Sequence, residues 1–475
     1  MVFASPLFLF LFLPLVQAAY LISPRSARNV VLLVASLLFY AWGEGAMIAL
    51  VLASILLNWT FGLAIAAAAD ARSRRLWLGL AVGVNLLTLA LFKYAGFVTS
   101  NLDALLRSFG YAGIAVVALP LPLGISFYTF HAISYVVDVA KRNARAERRL
   151  SDFALYILLF PQLIAGPIIR WRDIADQIPS RRERLADRAY GVRRFIVGLG
   201  KKMLIANTLG SVADRIFGLP AAELTTPVAW LGLICYTLQI YFDFSGYSDM
   251  AIGLMRMFGF SILENFNYPY VSRSIREFWR RWHISLSNWF RDYVYIPLGG
   301  NHRGRARAYA NLVIVFLLCG LWHGASWNFV LWGAWHGTFL VTERAGLGRV
   351  IERWPRVGHV YAMLVVMAGW VLFRADTLPH AIAYYGALLG RTSSDARYAT
   401  LGEFLDPLLA LTLLCACAGA LPLARVASRW HERVGARAGP AAYASTEAVW
   451  LGGIGVLCAA WLAAGTYNPF IYFRF

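Results

Sequence analysis

Acidic residues are scarce in this sequence. Asp and Glu number 25 against 44 Lys and Arg in 475 residues, a net charge of +19. Charge of either sign is thin, at 15% of residues, where soluble domains carry about 25%. That argues against an ordinary soluble domain. Cysteine is rare too: Cys235, Cys319, Cys415, Cys417 and Cys458, all in apolar stretches. The Cys415-Ala416-Cys417 spacing has no matching His or Cys pair, so neither a zinc site nor a disulfide framework is indicated, and the five read as small apolar packing residues. No GxSxG elbow or Walker loop is present. Any transfer chemistry therefore needs an acceptor with its own hydroxyl, or a carried intermediate. The N-terminus lacks a basic segment before its first apolar run. That run ends near Ile22 and is followed by Arg25 and Arg28, the pattern of a retained helix rather than a cleaved leader.

What is present is apolar surface. The chain is 59% hydrophobic with 17 Trp, and its mean hydropathy is +0.58. Spans are predicted at 5–22, 29–43, 46–68, 76–98, 112–139, 196–217, 225–243, 309–323, 326–343, 358–374, 405–424 and 447–466, each judged against the ~20 residues a helix needs to cross a bilayer. The fold class is all-α: one integrated polytopic membrane domain over 1–475, with the lipid bilayer as its partner. The basic residues gather in short loops after the first, third and fifth spans. Positive-inside sorting explains them more simply than nucleic acid does, and puts the N-terminus outside.

Two stretches break the alternation. Phe153 to Ile169 is apolar but flanked by basic loops on both sides, and it contains Pro161, Gly166 and Pro167. This pattern predicts a re-entrant element, tolerated at membrane depth only where it is buried in protein or lines a cavity. The stretch from Tyr268 to Arg307 is cationic and aromatic, predicting interfacial or re-entrant helices; a solvated loop would not need Phe278, Trp279, Trp282, Trp289 and Phe290.

Histidine in hydrocarbon is costly and is the side chain suited to proton transfer near neutral pH. Trp322-His323-Gly324 and Trp335-His336-Gly337 lie in apolar sequence, and Trp282-His283 follows the cationic run Arg276 to Arg281. A hydroxyl becomes nucleophilic once a base takes its proton, and the resulting tetrahedral oxyanion needs donors. His323 is the candidate base. Trp322 Nε1, Ser326, Asn328 and a protonated His283 are candidate donors, and Arg276, Arg280 and Arg281 are candidates for holding an anionic donor. Asp243 is a rare carboxylate in an apolar setting, read as a polar anchor or as tunnel lining. His336 reads as a packing residue, and His131 stays open.

Three blocks resemble a known family: Pro122 to Phe130 with His131, Tyr241 to Met250, and Phe278 to His283 followed by Trp322 to Asn328. They are similar to membrane-bound O-acyltransferases, in the bacterial branch that modifies alginate and teichoic acid. The resemblance implies a fold of roughly 11–13 membrane helices with re-entrant and interfacial elements around a central funnel. It implies acyl transfer across the bacterial inner membrane to an exported polysaccharide such as alginate. Acetyl-CoA is the implied donor substrate, with no permanently bound cofactor, and an extracytoplasmic hydrolase-like acetyltransferase is the implied partner. His323 maps onto the family's invariant histidine and His283 onto its second one. The closing Phe470 to Phe475 resembles a tail in which Tyr472 would carry the acyl group. A proton-coupled transporter using His323 and Asp243, and a non-enzymatic export scaffold, are the rival expectations.

Overall fold

The structure is a computed structural model that describes residues 2–117, 119–391, 399–423, 439–465 and 467–468. Among these residues there are helices and no strands. In chain order the α-helices are α1 (Leu13–Ile22), α2 (Arg28–Glu44), α3 (Ile48–Ala67), α4 (Ala71–Ser108), α5 (Ile125–Ala140), α6 (Leu150–Leu158), α7 (Phe160–Leu163), α8 (Trp171–Ile174), α9 (Leu185–Gly200) and α10 (Asn207–Phe217). They continue as α11 (Thr226–Met257), α12 (Ile275–Arg281), α13 (Ile284–Phe290), α14 (Arg305–His323), α15 (Trp327–Thr342), α16 (Gly348–Arg353), α17 (Pro355–Arg374), α18 (Leu378–Leu388), α19 (Pro407–Ala420) and α20 (Pro440–Ala463). Each of the twelve predicted spans overlaps a helix, 112–139 only from Ile125 on. Six helical stretches among the described residues are long and apolar enough to cross a membrane, and Phe8–Ile22, α5 and α19 are apolar but shorter.

The molecule has a lipid-facing rim and a dry centre. Leu87, Leu414 and Val456 are among many large apolar side chains left exposed on α4, α19 and α20. Such a belt is stable only against hydrocarbon. Cys415 and Cys417 face outward on α19, so they are not core packing residues, unlike the buried Cys235, Cys319 and Cys458. At the centre lies α11, almost wholly buried, with α9 packed along it. Its two carboxylates are neutralised in place. Asp243 pairs with Lys202 at 2.7 Å, and Asp249 pairs with Arg194 and Lys201, both at 2.7 Å. Buried carboxylates are tolerated only with such partners.

The expected span 112–139 is shorter than its hydropathy implied. Residues 111–117 and 119–124 are irregular, and α5 starts only after Gly124, whose φ of +72° favours glycine. Pro120 and Pro122 lie in this irregular part, since proline disfavours helix at the residue before it.

The segment from 150 to 172 is folded as its flanks implied. The helices α6 and α7 are broken at Leu159, and every residue from Asp152 to Trp171 is buried. Its two ends, Arg149 and Trp171-Arg172, line the same cavity, so it enters and leaves on one side. Its tip reaches Gly124, where an added Cβ would collide with the Leu163 carbonyl. The exit is pinned by charge: Arg170 contacts Asp292 at 2.6 Å, Arg172 also pairs with Asp292, and Arg291 reaches it at 2.8 Å. Burial alone would raise the Asp292 carboxyl. The Arg291 hydrogen bond and the charges of Arg291, Arg172 and Arg170 outweigh it and hold the group below the usual carboxylate range.

Candidate active site

The hairpin of α14 and α15 sets His323. Gly320 and Gly333 let the two backbones touch: a Cβ on Gly320 would strike the Phe329 carbonyl, and one on Gly333 the Phe316 carbonyl. Close approach through small residues is the usual means of joining helices without a hydrophobic drive. His323 is the last residue of α14 and is 6% exposed. Its ring is caged by Trp322 at 4.9 Å, Phe373 at 5.1 Å and Trp332 at 5.3 Å between centroids.

His283 also packs against Trp322, with ring centroids 6.1 Å apart. It is 1% exposed and sits between α12 and α13 in a left-handed backbone conformation, φ +44°. A non-glycine residue held there is strained and persists only where its surroundings demand it. Asn265 supplies that demand. Its side-chain oxygen lies 3.1 Å from His283 Nδ1 and also accepts from Ser285 Oγ at 2.9 Å. Its amide donates to Ser248 Oγ on α11 at 3.0 Å. An acceptor at Nδ1 fixes the proton there and leaves Nε2 as a bare lone pair. His283 Nε2, His323 Nδ1 and Trp322 Nε1 are all buried without a hydrogen-bond partner. Buried polar atoms without a protein partner are places that a water or a ligand group completes.

A cavity of about 180 Å³ opens on His323, lined by Trp322, Lys93, Ser126, residues 121–125 and Ile164. The tip of the re-entrant element and the start of α5 thus share the wall. Lys93, in mid-α4, donates to the Trp322 carbonyl, and to the His323 carbonyl and Ser126 Oγ at 3.3 Å each. Its amine caps free carbonyls at the C-terminal end of α14 beneath His323.

The expected site residues divide. His323, His283 and Trp322 come together. The imidazolium role expected of His283 finds no carboxylate partner among the described residues, where Asn265 and Ser285 meet its ring, and an unpaired buried charge is costly. Ser326 and Asn328 line a different cavity, of about 380 Å³, with Asn101 and Asp376; the Asn328 amide is spent on the Ala375 carbonyl at 2.6 Å. Asp243 is tied to Lys202. In α12, Arg281 pairs with Glu277 at 2.8 Å, while Arg276 and Arg280 are exposed. The aromatic partners of that stretch, Phe278, Trp279, Trp282, Trp289 and Phe290, are all buried, so it is not a solvated loop. His336 is fully buried between Trp279 and Trp332, both at 5.0 Å. His131 accepts from the Ile169 N–H at 3.3 Å and braces the re-entrant element. Tyr472 lies outside the described residues. The last described ones are anchored: Tyr467 Oη donates to Asp214, which also holds Arg374 at 2.6 Å, and Asn468 accepts from Asn207 at 3.1 Å. Sequence reading missed Lys93 and Asn265. Lys93 carried the signal, as a lone charge inside an apolar run. Asn265 carried none, because its role exists only once α11 and α13 meet. Among the described residues no group of three or more His, Cys, Asp or Glu is set to hold a metal ion.

Fold and site together define an all-helical, multi-pass membrane protein with two buried imidazoles packed around one indole. The family model for MBOAT, membrane-bound O-acyltransferases, matches residues 74–370. The chain is 49% identical over 395 residues to the probable alginate O-acetylase AlgI of Azotobacter vinelandii, covering 82% of this chain and 78% of that one. The Pseudomonas aeruginosa protein of the same name is 48% identical, with 82% and 75% covered. The peptidoglycan O-acetyltransferase of Helicobacter pylori is 35% identical, with 82% and 80% covered. The chain belongs to the membrane-bound O-acyltransferase family and is an O-acyltransferase enzyme; the transporter and scaffold readings give way.

Proposed function

We propose that this protein is an inner-membrane O-acetyltransferase that takes an acetyl group from acetyl-CoA on the cytoplasmic side and passes it outward to an exported polysaccharide, alginate being the polymer named for its AlgI relatives. The observation that carries the reading is the pair of buried imidazoles packed against Trp322, with His283 Nε2, His323 Nδ1 and Trp322 Nε1 unpartnered and a cavity lined by His323 and Trp322 next to them. In the proposed reaction His323 removes the proton of an acceptor hydroxyl as its oxygen attacks the thioester carbonyl carbon. The C–O bond forms, and the carbonyl oxygen takes the negative charge, which the Trp322 N–H meets. The intermediate collapses, the C–S bond breaks, and the departing thiolate receives the proton that His323 holds. His283, fixed by Asn265, is a second neutral base beside Trp322.

The proposed acceptor is the Tyr472 hydroxyl, which hands the acetyl to an extracytoplasmic hydrolase-like partner. The anchoring of Tyr467 and Asn468 supports this reading: Asp214 and Arg374 sit next to Phe373, which touches His323. A tyrosyl ester is activated, since phenolate with a pKa near 10 leaves more readily than a sugar alkoxide. Tyr472→Phe keeps the ring and removes the hydroxyl. It is expected to abolish polymer acetylation, and the wild type is expected to yield an acetylated C-terminal peptide by mass spectrometry. Full polymer acetylation by Tyr472→Phe rules out the carrier step while leaving the His323 chemistry standing.

A further inference from the structure

Three loops far apart in sequence build a second, larger cavity, of about 1500 Å³. Its wall holds six arginines, Arg74, Arg142, Arg145, Arg148, Arg149 and Arg172, against two carboxylates, Glu147 and Asp176. Arg172 is engaged by Asp292. No ion pair forms at the side chains of the other five among the described residues. Positive-inside sorting explains basic loops, but it needs neither a cavity nor a fixed backbone. Here the backbone is fixed. Arg142 has φ +59°, and the N–H groups of Asn143 and Ala144 both donate to the Asp138 carbonyl. The Arg145 carbonyl accepts from Trp171 Nε1 at 2.9 Å, the Glu147 N–H donates to Tyr135 Oη at 3.2 Å, and the Arg149 N–H donates to Glu147 Oε1 at 2.9 Å. This is the left-handed cap that ends α5, and with these bonds it sets the path of the arginine-bearing loop as it leaves the helix.

We propose that this cavity is a phosphate-binding site that holds the phosphate-bearing end of the thioester donor. The proposal rests on acetyl-CoA being the donor. Guanidinium groups are the side chains of choice for phosphate, which they meet with paired, charge-assisted hydrogen bonds. The volume exceeds the ~300–1,000 Å³ of ordinary small-molecule pockets, room enough for a nucleotide. The connection to His323 is structural. The re-entrant segment has Arg149 and Arg172 at its ends in this cavity and Ile164 near its tip in the His323 cavity. The helix α5 runs the same way, from Ile125 in one wall to Val139 in the other, about 21 Å at 1.5 Å per residue. An extended pantetheine arm covers a span of that order. The expected donor clamp at Arg276, Arg280 and Arg281 lines neither cavity.

The test is coenzyme A binding to the full-length protein in nanodiscs of zwitterionic lipid. Arg142→Gln/Arg145→Gln/Arg148→Gln/Arg149→Gln is expected to weaken it about 100-fold, roughly tenfold for each of two phosphate groups released. The corresponding four-lysine variant is expected to recover most of the affinity. Pantetheine, which lacks phosphate, is expected to bind weakly and equally to all. Arg280→Gln/Arg281→Gln is expected to bind coenzyme A as the wild type does. If the quadruple variant misfolds by size-exclusion profile, Arg145→Gln/Arg148→Gln, expected to lose about tenfold, replaces it. Unchanged coenzyme A affinity in the Gln variants overturns the site while leaving the acetyltransferase reading intact. Loss of a copurifying anionic lipid with coenzyme A affinity unchanged assigns the cavity to headgroups and also overturns it. A wild type that transfers acetyl from a different donor and binds no coenzyme A overturns the donor reading itself.

Discussion

His323, His283 and Trp322 form a unit that a single orphan atom would not reveal. Three polar atoms from two segments lose their partners around one indole, and a cavity opens at the same point. His323 and Trp322 were legible because polar side chains stand out in apolar sequence. The role of His283 was not. Its neutral form follows from burial, and its lone pair at Nε2 from Asn265, which lies in an irregular stretch and matters only through packing. Asn265→Leu should therefore behave as a positioning variant. Losing the acceptor at Nδ1 releases the tautomer, and about 10²-fold in kcat should go with donor KM little changed. The pH–rate profile of the residual activity should also shift, which simple loss of packing would not produce. A variant with a wild-type rate and profile would remove Asn265 from the account. Lys93 follows the rule that exposed the histidines, a charge where hydrocarbon is expected, and its meaning became visible only with the two carbonyls it caps.

At the scale of elements, hydropathy found the helices and composition found the two exceptions. The re-entrant segment was legible from its flanking charges and its prolines. The irregular stretch before α5 was misread, since apolar residues without a clear period look the same in helix and coil, and its prolines carried the information. The α14–α15 hairpin depends on bare backbone contact. Gly320→Leu should force the pair apart at the Phe329 carbonyl, cost about 1–3 kcal/mol by overpacking, and lower activity more than thermal stability because His323 lies three residues on; an active, unshifted variant would show that the contact is not needed. The re-entrant exit depends on Asp292. Asp292→Asn should cost about 1–3 kcal/mol by leaving Arg170 and Arg172 short of a partner, read as a lower melting temperature. Because the Asp292 carboxyl is depressed in the folded state, its contribution is present above the unfolded pKa of about 4 and fades as pH falls below that. The Asn variant should lose this acid sensitivity; if it melts as the wild type does at neutral pH, the charge cluster is not what holds the exit.

For the whole molecule, the amino-acid pattern declared a membrane enzyme, and the family blocks pointed to one hairpin and to the junction of two short helices as its candidate site. The assembly of cavities could not be read from the chain. Arg74, Arg142 to Arg149 and Arg172 look like separate sorting signals until the fold draws them around one space, and Ser326 and Asn328 look like neighbours of His323 until the hairpin turns them into another. The central claim is that His323 is the base of a transfer reaction. The direct measurement is single-turnover transfer from radiolabelled acetyl-CoA by purified protein in proteoliposomes, comparing wild type with His323→Ala at equal amounts of folded, donor-binding protein. The account predicts that label transfer in the variant falls by about 10²–10⁴-fold while coenzyme A affinity is retained. Transfer at a near-wild-type rate by His323→Ala would contradict it.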